Sequence, residues 1–471
     1  MENNRTWILV TLMIGTSMAA IDSSIVNVSL PVIQRQFDVQ LDAVALVVTA
    51  YMITYSLFIP LTNWLKSRIG YYRLYMASIF LFAVGSLLCS LSTSLSELVL
   101  ARVMQAIGGG AIAPTSLAIL SDSFPKEVRG SAIGWWGIGN VMGPALGPTL
   151  GGVLTEYLGW QSIFWVNVPI GLITLLMARK HLRFLQSMPT SNPAFDIKGY
   201  ACLAAFILLL QATIIPFASR FGPWSWQFIS SFLITSLMLW GYIRSARRPD
   251  PLMDLSIFRL PRFNRPFSIV GIRSLALFGG MFFLPFLLQG YLGYSEMESA
   301  LLLLPNALVM LVTRPLSGKL ADKGMIRNIS VLGIVLLSLS FFLFSKMDRG
   351  SSVTFIVTSM IIRGLGISFL IAPVSTAMLN AVRPAQTATA TSLNTLMLQL
   401  GGSVGIAISS ALHTHLLEHY AEKYPAANAQ HYALQDGFLI TSFVILLALI
   451  PAFQLPQRTR RRLKNKEVLG G

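Results

Sequence analysis

The sequence predicts an all-α integral membrane protein with fourteen membrane-spanning helices. Composition is the first observation behind this prediction: of 471 residues, 54% are hydrophobic and only 11% are charged, whereas soluble domains average about 25% charged residues. The second is a series of fourteen apolar runs, most of them near the roughly 20 residues that a helix needs to cross a bilayer. The third is the distribution of positive charge, which gives the orientation of the chain.

The apolar runs follow one another along the chain and leave no space for a soluble domain of useful size. The longest segments between them are 179–198, 244–265 and 413–436. We place the runs near 7–28, 43–64, 74–92, 97–119, 131–154, 162–178, 199–218, 226–243, 266–290, 299–318, 328–345, 352–374, 387–412 and 437–455.

Lysine and arginine are concentrated on one side of the predicted membrane. If the N-terminus lies in the cytoplasm, the inside segments hold 26 of the 35 basic residues and the outside loops hold 5. Cytoplasmic loops carry such an excess, so both termini are predicted to be cytoplasmic, in a multi-pass protein of the cytoplasmic (inner) membrane. The net charge of +16 therefore requires no nucleic-acid partner, and the basic tail is predicted to lie against the inner leaflet.

Two pairs of segments indicate an internal repeat. Residues 112–120 and 371–379 share the pattern I-A-P-x-S-x-A-x-L, and residues 63–68 line up with 318–323 in a short cytoplasmic segment. Both pairs run in the same direction, so one half follows the other in parallel, which is a known plan of transporters with a site between the halves. We predict six-helix bundles at 1–185 and 256–456, two additional helices at 186–255 and a cytoplasmic tail at 457–471.

The run from 134 to 152, G-W-W-G-I-G-N-V-M-G-P-A-L-G-P-T-L-G-G, contains seven glycines and two prolines. In a bilayer the helix is enforced because backbone groups have no water to bind, and small residues let neighbouring helices approach closely. The run therefore predicts a surface on which helix bundles pack and move, and favours transport. Its candidate packing residues are Gly134, Gly143, Gly147, Pro148, Gly151 and Gly152.

Asp22 is the only carboxylate well inside a predicted span, and intramembrane acids are functional by default. Burial disfavours the charged form of a carboxyl group, whereas a nearby arginine favours it. Arg102, on the fourth run, is predicted to lie at a similar depth and to pair with Asp22, so that protonation of Asp22 would release Arg102. The alternatives are a wet helix end, if the first helix stops near Ser23, and a static structural pair.

Five segments together resemble one family. They are 22–31 (D-S-S-I-V-N-V-S-L-P), 98–111 (L-V-L-A-R-V-M-Q-A-I-G-G-G-A), the glycine-rich run, 159–171 (G-W-Q-S-I-F-W-V-N-V-P-I-G) and 399–405 (Q-L-G-G-S-V-G). In this order they resemble the fourteen-helix drug:proton antiporter branch of the major facilitator superfamily. The resemblance implies two six-helix bundles plus two inserted helices, and a proton-coupling or cation-binding role for Asp22 with Arg102.

The first gating loop departs from the family pattern G-x-L-A-D-R-x-G. Asn63, Lys66 and Ser67 stand where the pattern has Gly, Ala and Asp, whereas the second copy keeps its Asp and has Met325 in place of the last Gly. Since the family's Asp helps to latch one closed state, the effect of the degenerate first loop on gating stays open. The candidate gating residues are Arg68, Gly70, Gly318, Asp322 and Lys323.

Several other polar residues fall within predicted spans. Arg363 is a second-half counterpart of Arg102 without a facing carboxylate, and Arg273 and Arg314 lie nearer the cytoplasmic side. A structural role is expected for all three, with snorkelling towards the cytoplasm as an alternative for Arg273 and Arg314. The candidates for lining a substrate cavity, with interhelical hydrogen bonds as the alternative role, are Asn27, Gln105, Asn140, Gln289, Asn394 and Gln399.

Four histidines, from His413 to His431, are predicted to lie in the outer segment 413–436. His415, Glu418 and His419 match the H-x-x-E-H zinc motif, but the expected interpretation is a solvated amphipathic helix end. The two cysteines predict neither a disulfide framework nor a metal site.

The sequence thus predicts a non-enzymatic, proton-coupled exporter of amphipathic, cationic or lipophilic small molecules. Its partners would be the substrate, protons and the lipid bilayer, with no cofactor beyond the proton gradient, and it would work as a monomer. The alternatives are an exporter or symporter of one metabolite (a siderophore, an amino acid or a lipid), a membrane-embedded zinc peptidase, and a non-transporting sensor.

Overall fold

The computed structural model describes residues 2–39, 41–187, 194–219, 226–247 and 251–456, and the regular structure in these ranges is helical. The α-helices of this part of the chain are α1 (Glu2–Phe37), α2 (Leu41–Phe58), α3 (Leu61–Leu91), α4 (Leu95–Ser123), α5 (Arg129–Leu158), α6 (Ser162–Trp165), α7 (Asn167–His181), α8 (Ile197–Ser219), α9 (Trp226–Ser245), α10 (Pro261–Pro285), α11 (Glu296–Asp322), α12 (Ile326–Phe344), α13 (Val353–Asn380), α14 (Thr387–Ala421), α15 (Ala426–Leu446) and α16 (Leu449–Phe453).

The all-α prediction is confirmed, and each of the fourteen apolar runs coincides with at least one helix. Within the described residues, ten helical stretches are long and apolar enough to cross a membrane. Two further apolar helices, at 46–58 and 197–210, are shorter. The crossing of a membrane by all fourteen runs therefore stays a prediction.

The chain divides into two compact units. The first consists of residues 1–123, 138–255 and 384–400. In it α4 packs against α2 and α3, and α1 packs against α4 and α7. The helices α8 and α9 pair with one another, and Asp196 accepts hydrogen bonds from Gly199 N at the start of α8 (2.8 Å) and from Ser245 Oγ at the end of α9 (2.9 Å).

The second unit consists of residues 124–137, 256–383 and 401–471. Here α13 packs against α10, α11 and α12, and α15 packs against α10 and α12. A Cβ atom on Gly366 of α13 would lie 2.7 Å from Leu337 N on α12, so these helices approach closely because this residue has no side chain. The predicted boundaries at 185, 255 and 456 stay predictions.

Two glycines in the left-handed backbone region end helical segments in the two copies of the gating loop. Gly70 (φ 78°) interrupts α3 between residues 61–69 and 71–91, and Gly324 (φ 84°) follows the end of α11. Only glycine adopts this conformation at little cost. The second copy thus makes its turn one position earlier in the motif, and the presence of Met325 in place of the family's Gly leaves the turn intact.

Three helices extend well beyond the predicted runs. The first continues to Phe37 rather than ending near residue 28. Because α14 continues to Ala421 and α15 begins at Ala426 rather than near residue 437, the predicted outer segment 413–436 shrinks to four residues. Polar residues end an apolar run in the sequence but do not interrupt the backbone hydrogen bonds of a helix, which explains these differences. At the end of α10, Pro285 is followed by a π-helix from Phe286 to Tyr291.

Candidate functional site

The site is built around Asp22, near the middle of α1. Asp22 is fully buried (0% exposed), and Arg102 on α4 is almost fully buried (1% exposed). Arg102 Nη1 lies 2.7 Å from Asp22 Oδ2, which makes a buried ion pair. Because α1 continues for fifteen residues beyond Asp22, the alternative of a carboxyl group at a wet helix end does not apply.

Two amide side chains hold the other carboxylate oxygen. Gln105 Nε2 on α4 and Asn167 Nδ2 on α7 each donate to Asp22 Oδ1 at 2.8 Å. With Arg102, the carboxylate accepts three hydrogen bonds from three side chains. Hydrogen bonds of this kind favour the charged form, so the described arrangement matches an ionised Asp22.

Close packing of α3 against α4 positions Gln105. A Cβ atom on Gly85 would lie 2.6 Å from the backbone N and Cα of Gln105, so the two helices meet here because glycine leaves space. Gln105 Nε2 also donates to Ser86 Oγ at 2.6 Å, and Gln105 Oε1 accepts from Arg102 Nη1. The amide of Gln105 is therefore engaged at both ends, within the Asp22 network.

The guanidinium of Arg102 is packed on the faces of two aromatic rings. Its Cζ lies 4.0 Å from the ring centre of Tyr51 and 5.5 Å from that of Phe164, and its Nε donates to Val47 O at 3.3 Å. A buried arginine is costly unless it is paired and hydrogen-bonded, and cation–π contacts add to its stabilisation. If Asp22 lost its charge, Arg102 would lose its ion pair, which is the strongest of its interactions.

Asn167 was not predicted as a site residue, although it lies within the family-like segment 159–171. It is the first residue of α7, after a break at Val166, and Pro169 follows two positions later. The sequence feature that could have indicated Asn167 is an amide residue in an apolar run, two positions before a proline. That signal does not specify the partner, since the contact with Asp22 joins residues 145 positions apart.

The glycine-rich run of α5 supplies two different surfaces. Gly139, Gly143, Gly147 and Gly151, spaced four apart, face α1: a Cβ atom on Gly139 would lie 2.9 Å from Met13 O, and one on Gly143 would collide with Ala20 O. Of the other candidates, Gly152 has no atom within 4 Å of its Cβ position, whereas that of Gly134 is 2.6 Å from Arg314 O on α11.

The prediction did not include Gly139. The side chain of Pro148 lies outside the described part of the chain.

Asp322, at the end of α11, binds the first turn of α5. Its Oδ1 accepts from Gly130 N and its Oδ2 from Ser131 N, both at 2.7 Å. The first N–H groups of a helix have no partner within the helix and carry a partial positive charge, so the carboxylate caps α5. A Cβ atom on Gly318 would collide with Gly130 O, which explains the glycine at the start of this loop motif.

The remaining gating-loop residues make other contacts. Arg68 lies over the ring of Trp64 at 5.2 Å and Lys66 over that of Tyr71 at 5.0 Å. Asn63 Nδ2 donates to Leu252 O at 3.2 Å, and the side chain of Lys323 is exposed.

The structure does not connect most of the cavity candidates to Asp22. Asn394 is 5% exposed with an unpartnered Oδ1, Asn140 and Gln399 are half-buried, and Gln289 is exposed on the π-helix. The side chain of Asn27 lies outside the described residues. Gln105 alone among these candidates has a described hydrogen bond to Asp22.

The three other intramembrane arginines are buried in the second unit. Arg273 and Arg314 are 2% and 4% exposed, which argues against the alternative that they snorkel. Arg363 is 6% exposed. Arg314 Nη1 donates a hydrogen bond to Gly137 O. In all three arginines the Nε atom is buried without a hydrogen-bond partner.

The histidines match the expected solvated helix end only in part, since His415 and His419 are exposed near the end of α14 whereas two others pack among aromatic rings. His413, on α14, is 8% exposed and packs against Phe283 and Phe286, with ring centres 6.0 Å and 5.1 Å apart. His431, on α15, stacks on Tyr291 at 4.5 Å. In the described ranges no group of three or more His, Cys, Asp or Glu residues is arranged to hold a metal ion.

Comparison with known proteins gives one family across most of the chain. Residues 12–406 match the model of the Major Facilitator Superfamily. The Multidrug resistance protein B homolog of Mycobacterium tuberculosis (strain ATCC 25618 / H37Rv) is 30% identical over 411 residues, which cover 86% of this chain and 76% of that protein. The Riboflavin transporter RibZ of Clostridioides difficile (strain 630) is 28% identical over 452 residues, covering 94% and 96%.

A solved structure has the same overall fold. It is that of the human organic anion transporter MFSD10 (TETRAN), with a TM-score of 0.67 over 94% of this chain and 99% of that chain. Its sequence identity is 14%, so this similarity is one of fold.

Proposed function

The chain belongs to the Major Facilitator Superfamily, and we propose that it is a proton-coupled exporter of amphipathic, cationic or lipophilic small molecules. The observation that carries this proposal is the buried pair of Asp22 and Arg102, 2.7 Å apart within one membrane-embedded unit. Similarity to a multidrug resistance protein at 30% identity supports the substrate class.

Asp22 would be the group that gains and loses the proton. As a carboxylate it neutralises Arg102 and accepts bonds from two amides. As a neutral acid it leaves the guanidinium of Arg102 buried without a counter-ion, and an uncompensated buried charge is strongly destabilising. Protonation would therefore favour a different packing of α1 against α4, and this is the coupling that an antiporter needs.

The glycine surface of α5 and the Asp322 cap would serve the conformational change. The stripe from Gly139 to Gly151 gives α5 a smooth contact with α1. At the start of the same helix, Asp322 holds two backbone N–H groups through hydrogen bonds that can break and re-form. The first loop carries Ser67 at the corresponding position, so gating would depend on the second copy.

The finer architecture belongs to the same proposal. Fourteen spans would form two six-helix bundles and two inserted helices, with both termini in the cytoplasm and the protein in the inner membrane. It would act as a monomer, without enzymatic activity or a cofactor, on the proton gradient. Transport of one metabolite is the second candidate, because RibZ matches this chain over 96% of its own length.

Transport by purified protein in liposomes tests the proposal. We would impose a pH gradient and follow the accumulation of ethidium, an amphipathic cation, and of riboflavin. Ethidium accumulation that collapses when the gradient is dissipated is the expected result. Accumulation of riboflavin alone would favour the second candidate, and equal uptake with and without a pH gradient would contradict proton coupling.

A further inference from the structure

The two amides at the Asp22 site differ in how firmly they are held. Gln105 and Asn167 donate to the same oxygen, Asp22 Oδ1, at the same distance of 2.8 Å. Gln105 has further partners at both ends, with Arg102 at its Oε1 and Ser86 at its Nε2. Asn167 Oδ1, in contrast, is buried without a hydrogen-bond partner. The side chain of Asn167 can therefore turn at the cost of one hydrogen bond, whereas that of Gln105 cannot.

A neutral Asp22 needs a hydrogen-bond acceptor that the charged form does not need. On protonation, one carboxylate oxygen changes from an acceptor to an O–H donor. Asp22 Oδ2 faces Arg102, and a guanidinium has only donors. Asp22 Oδ1 faces the two amide nitrogens, so an O–H group there requires one amide to present its oxygen instead.

Asn167 is the amide that can do so. Inverting Gln105 would direct its N–H groups at the guanidinium of Arg102, which now donates to Oε1. Inverting Asn167 replaces the Nδ2 donor by the unused Oδ1, which then accepts the O–H of Asp22. Both protonation states keep one hydrogen bond with Asn167: in the neutral state Oδ1 gains a partner and Nδ2 gives one up.

We propose that the side-chain amide of Asn167 rotates by half a turn when Asp22 takes up its proton, so that Asn167 is a positioning residue for both protonation states. This inference rests on the proposed function, because it assumes that Asp22 carries the coupled proton. The proton that binds to Asp22 comes from water and returns to water, and the O–H bond of Asp22 is the only covalent bond that forms or breaks.

Other titratable groups face the site from the elements packed around Asp22. They are Tyr51 on α2, Cys89 on α3 and Arg102 on α4, while α7 contributes the neutral Asn167. Phenol, thiol and guanidinium groups ordinarily titrate above about pH 8. None of these three groups has a carboxyl C=O band, so a carboxyl band that arises at this site belongs to Asp22.

Infrared difference spectroscopy of the purified full-length protein can follow the protonation of Asp22 as the pH is changed, with no substrate added. The C=O band of a protonated carboxyl group that disappears in D22N is assigned to Asp22. We expect an amide C=O change with the same pH midpoint as this band in the wild-type protein and its absence in N167L. Q105L is the matched variant, since Gln105 donates only to the charged form.

The two leucine variants are predicted to differ. Q105L should move the midpoint of the Asp22 band to higher pH by about one unit, because the charged form alone loses a donor. N167L should raise the midpoint clearly less than Q105L does, because the neutral form also loses its hydrogen bond with Asn167, although the bond to the charged form is the stronger of the two. N167S should keep the wild-type midpoint, since a hydroxyl group can donate and accept. If N167L does not fold, N167A replaces it with the same expectations.

An upward shift in N167L as large as that in Q105L would overturn the inference, because Asn167 would then be a donor to the charged form alone. An amide band that persists in N167L would also overturn it. Either result leaves the proposed function intact. The absence of any carboxyl band that D22N removes would instead contradict the proposed function itself.

Discussion

The Oδ1 atom of Asp322 accepts the backbone N–H of Gly130 at 2.7 Å and thereby joins the end of α11 to the first turn of α5. The Oδ2 atom makes the equivalent bond with Ser131. A neutral amide at position 322 has only one acceptor oxygen for these two N–H groups. The contact therefore depends on the charge of Asp322 as well as on its size.

Asp322→Asn should lower the thermal stability of the purified protein, with a loss of about 1 kcal/mol for a partly exposed carboxylate at a helix N-terminus. Unfolding in detergent, followed by the fluorescence of its tryptophans, measures this loss. Glu422→Gln, which removes an exposed charge after α14, is the control and should have no effect. Equal unfolding temperatures for both variants and the wild-type protein would contradict the assigned cap.

The glycine stripe of α5 provides a matched pair of alanine variants. In Gly143→Ala the new Cβ collides with the backbone carbonyl of Ala20, and a backbone atom cannot move aside as a side chain can. Overpacking of this kind costs roughly 1–3 kcal/mol, so we expect lower stability and slower transport.

In Gly152→Ala nothing lies within 4 Å of the new atom. This variant should retain wild-type stability and transport, and it controls for the general effect of alanine on the helix. If both variants behave alike in thermal unfolding and in liposome transport, the close approach of α5 to α1 is not what the glycines provide.

The pairing of Asp22 with Arg102 predicts strong coupling between two substitutions. Removing Arg102 alone, as in R102Q, leaves a buried carboxylate without its cation, which typically costs 3–5 kcal/mol. The double variant D22N/R102Q removes both charges and should recover more than half of the lost stability. A double-mutant cycle of unfolding free energies measures the coupling, and strictly additive losses would show that the two side chains act independently.

The H-x-x-E-H segment should be dispensable. His415, Glu418 and His419 lie on α14, and the described residues contain no group of three metal-ligating side chains. We expect His415→Ala and Glu418→Gln to transport at the wild-type rate, with or without a zinc chelator. Complete loss of transport in both variants, with the fold preserved, would revive the alternative of a zinc site.

Much of the fold could be predicted because hydrophobic runs and membrane thickness determine where helices form. The helix ends could not, since the helical segment after Val28 in α1 contains polar residues and yet keeps its backbone bonds. For the same reason the continuation of α14 to Ala421 was missed.

The site was predictable only in part. Asp22 and Arg102 are oppositely charged and lie at a similar depth in their apolar runs. This indicated a pair, because a buried charge is strongly destabilising without a partner of opposite charge. Asn167 and Gly139 were missed, since their importance depends on which helix they face. His413 was misjudged because the phenylalanines around it come from α10 and the π-helix, distant in sequence.

The central claim is that the proton which drives transport binds to Asp22. Its most direct test is the number of protons exchanged per molecule of ethidium in liposomes, measured with a trapped pH indicator for the wild-type protein and for D22N. The account predicts substrate-linked proton movement by the wild-type protein and none by D22N, which at most exchanges ethidium down its own gradient. Undiminished proton movement in D22N would contradict it.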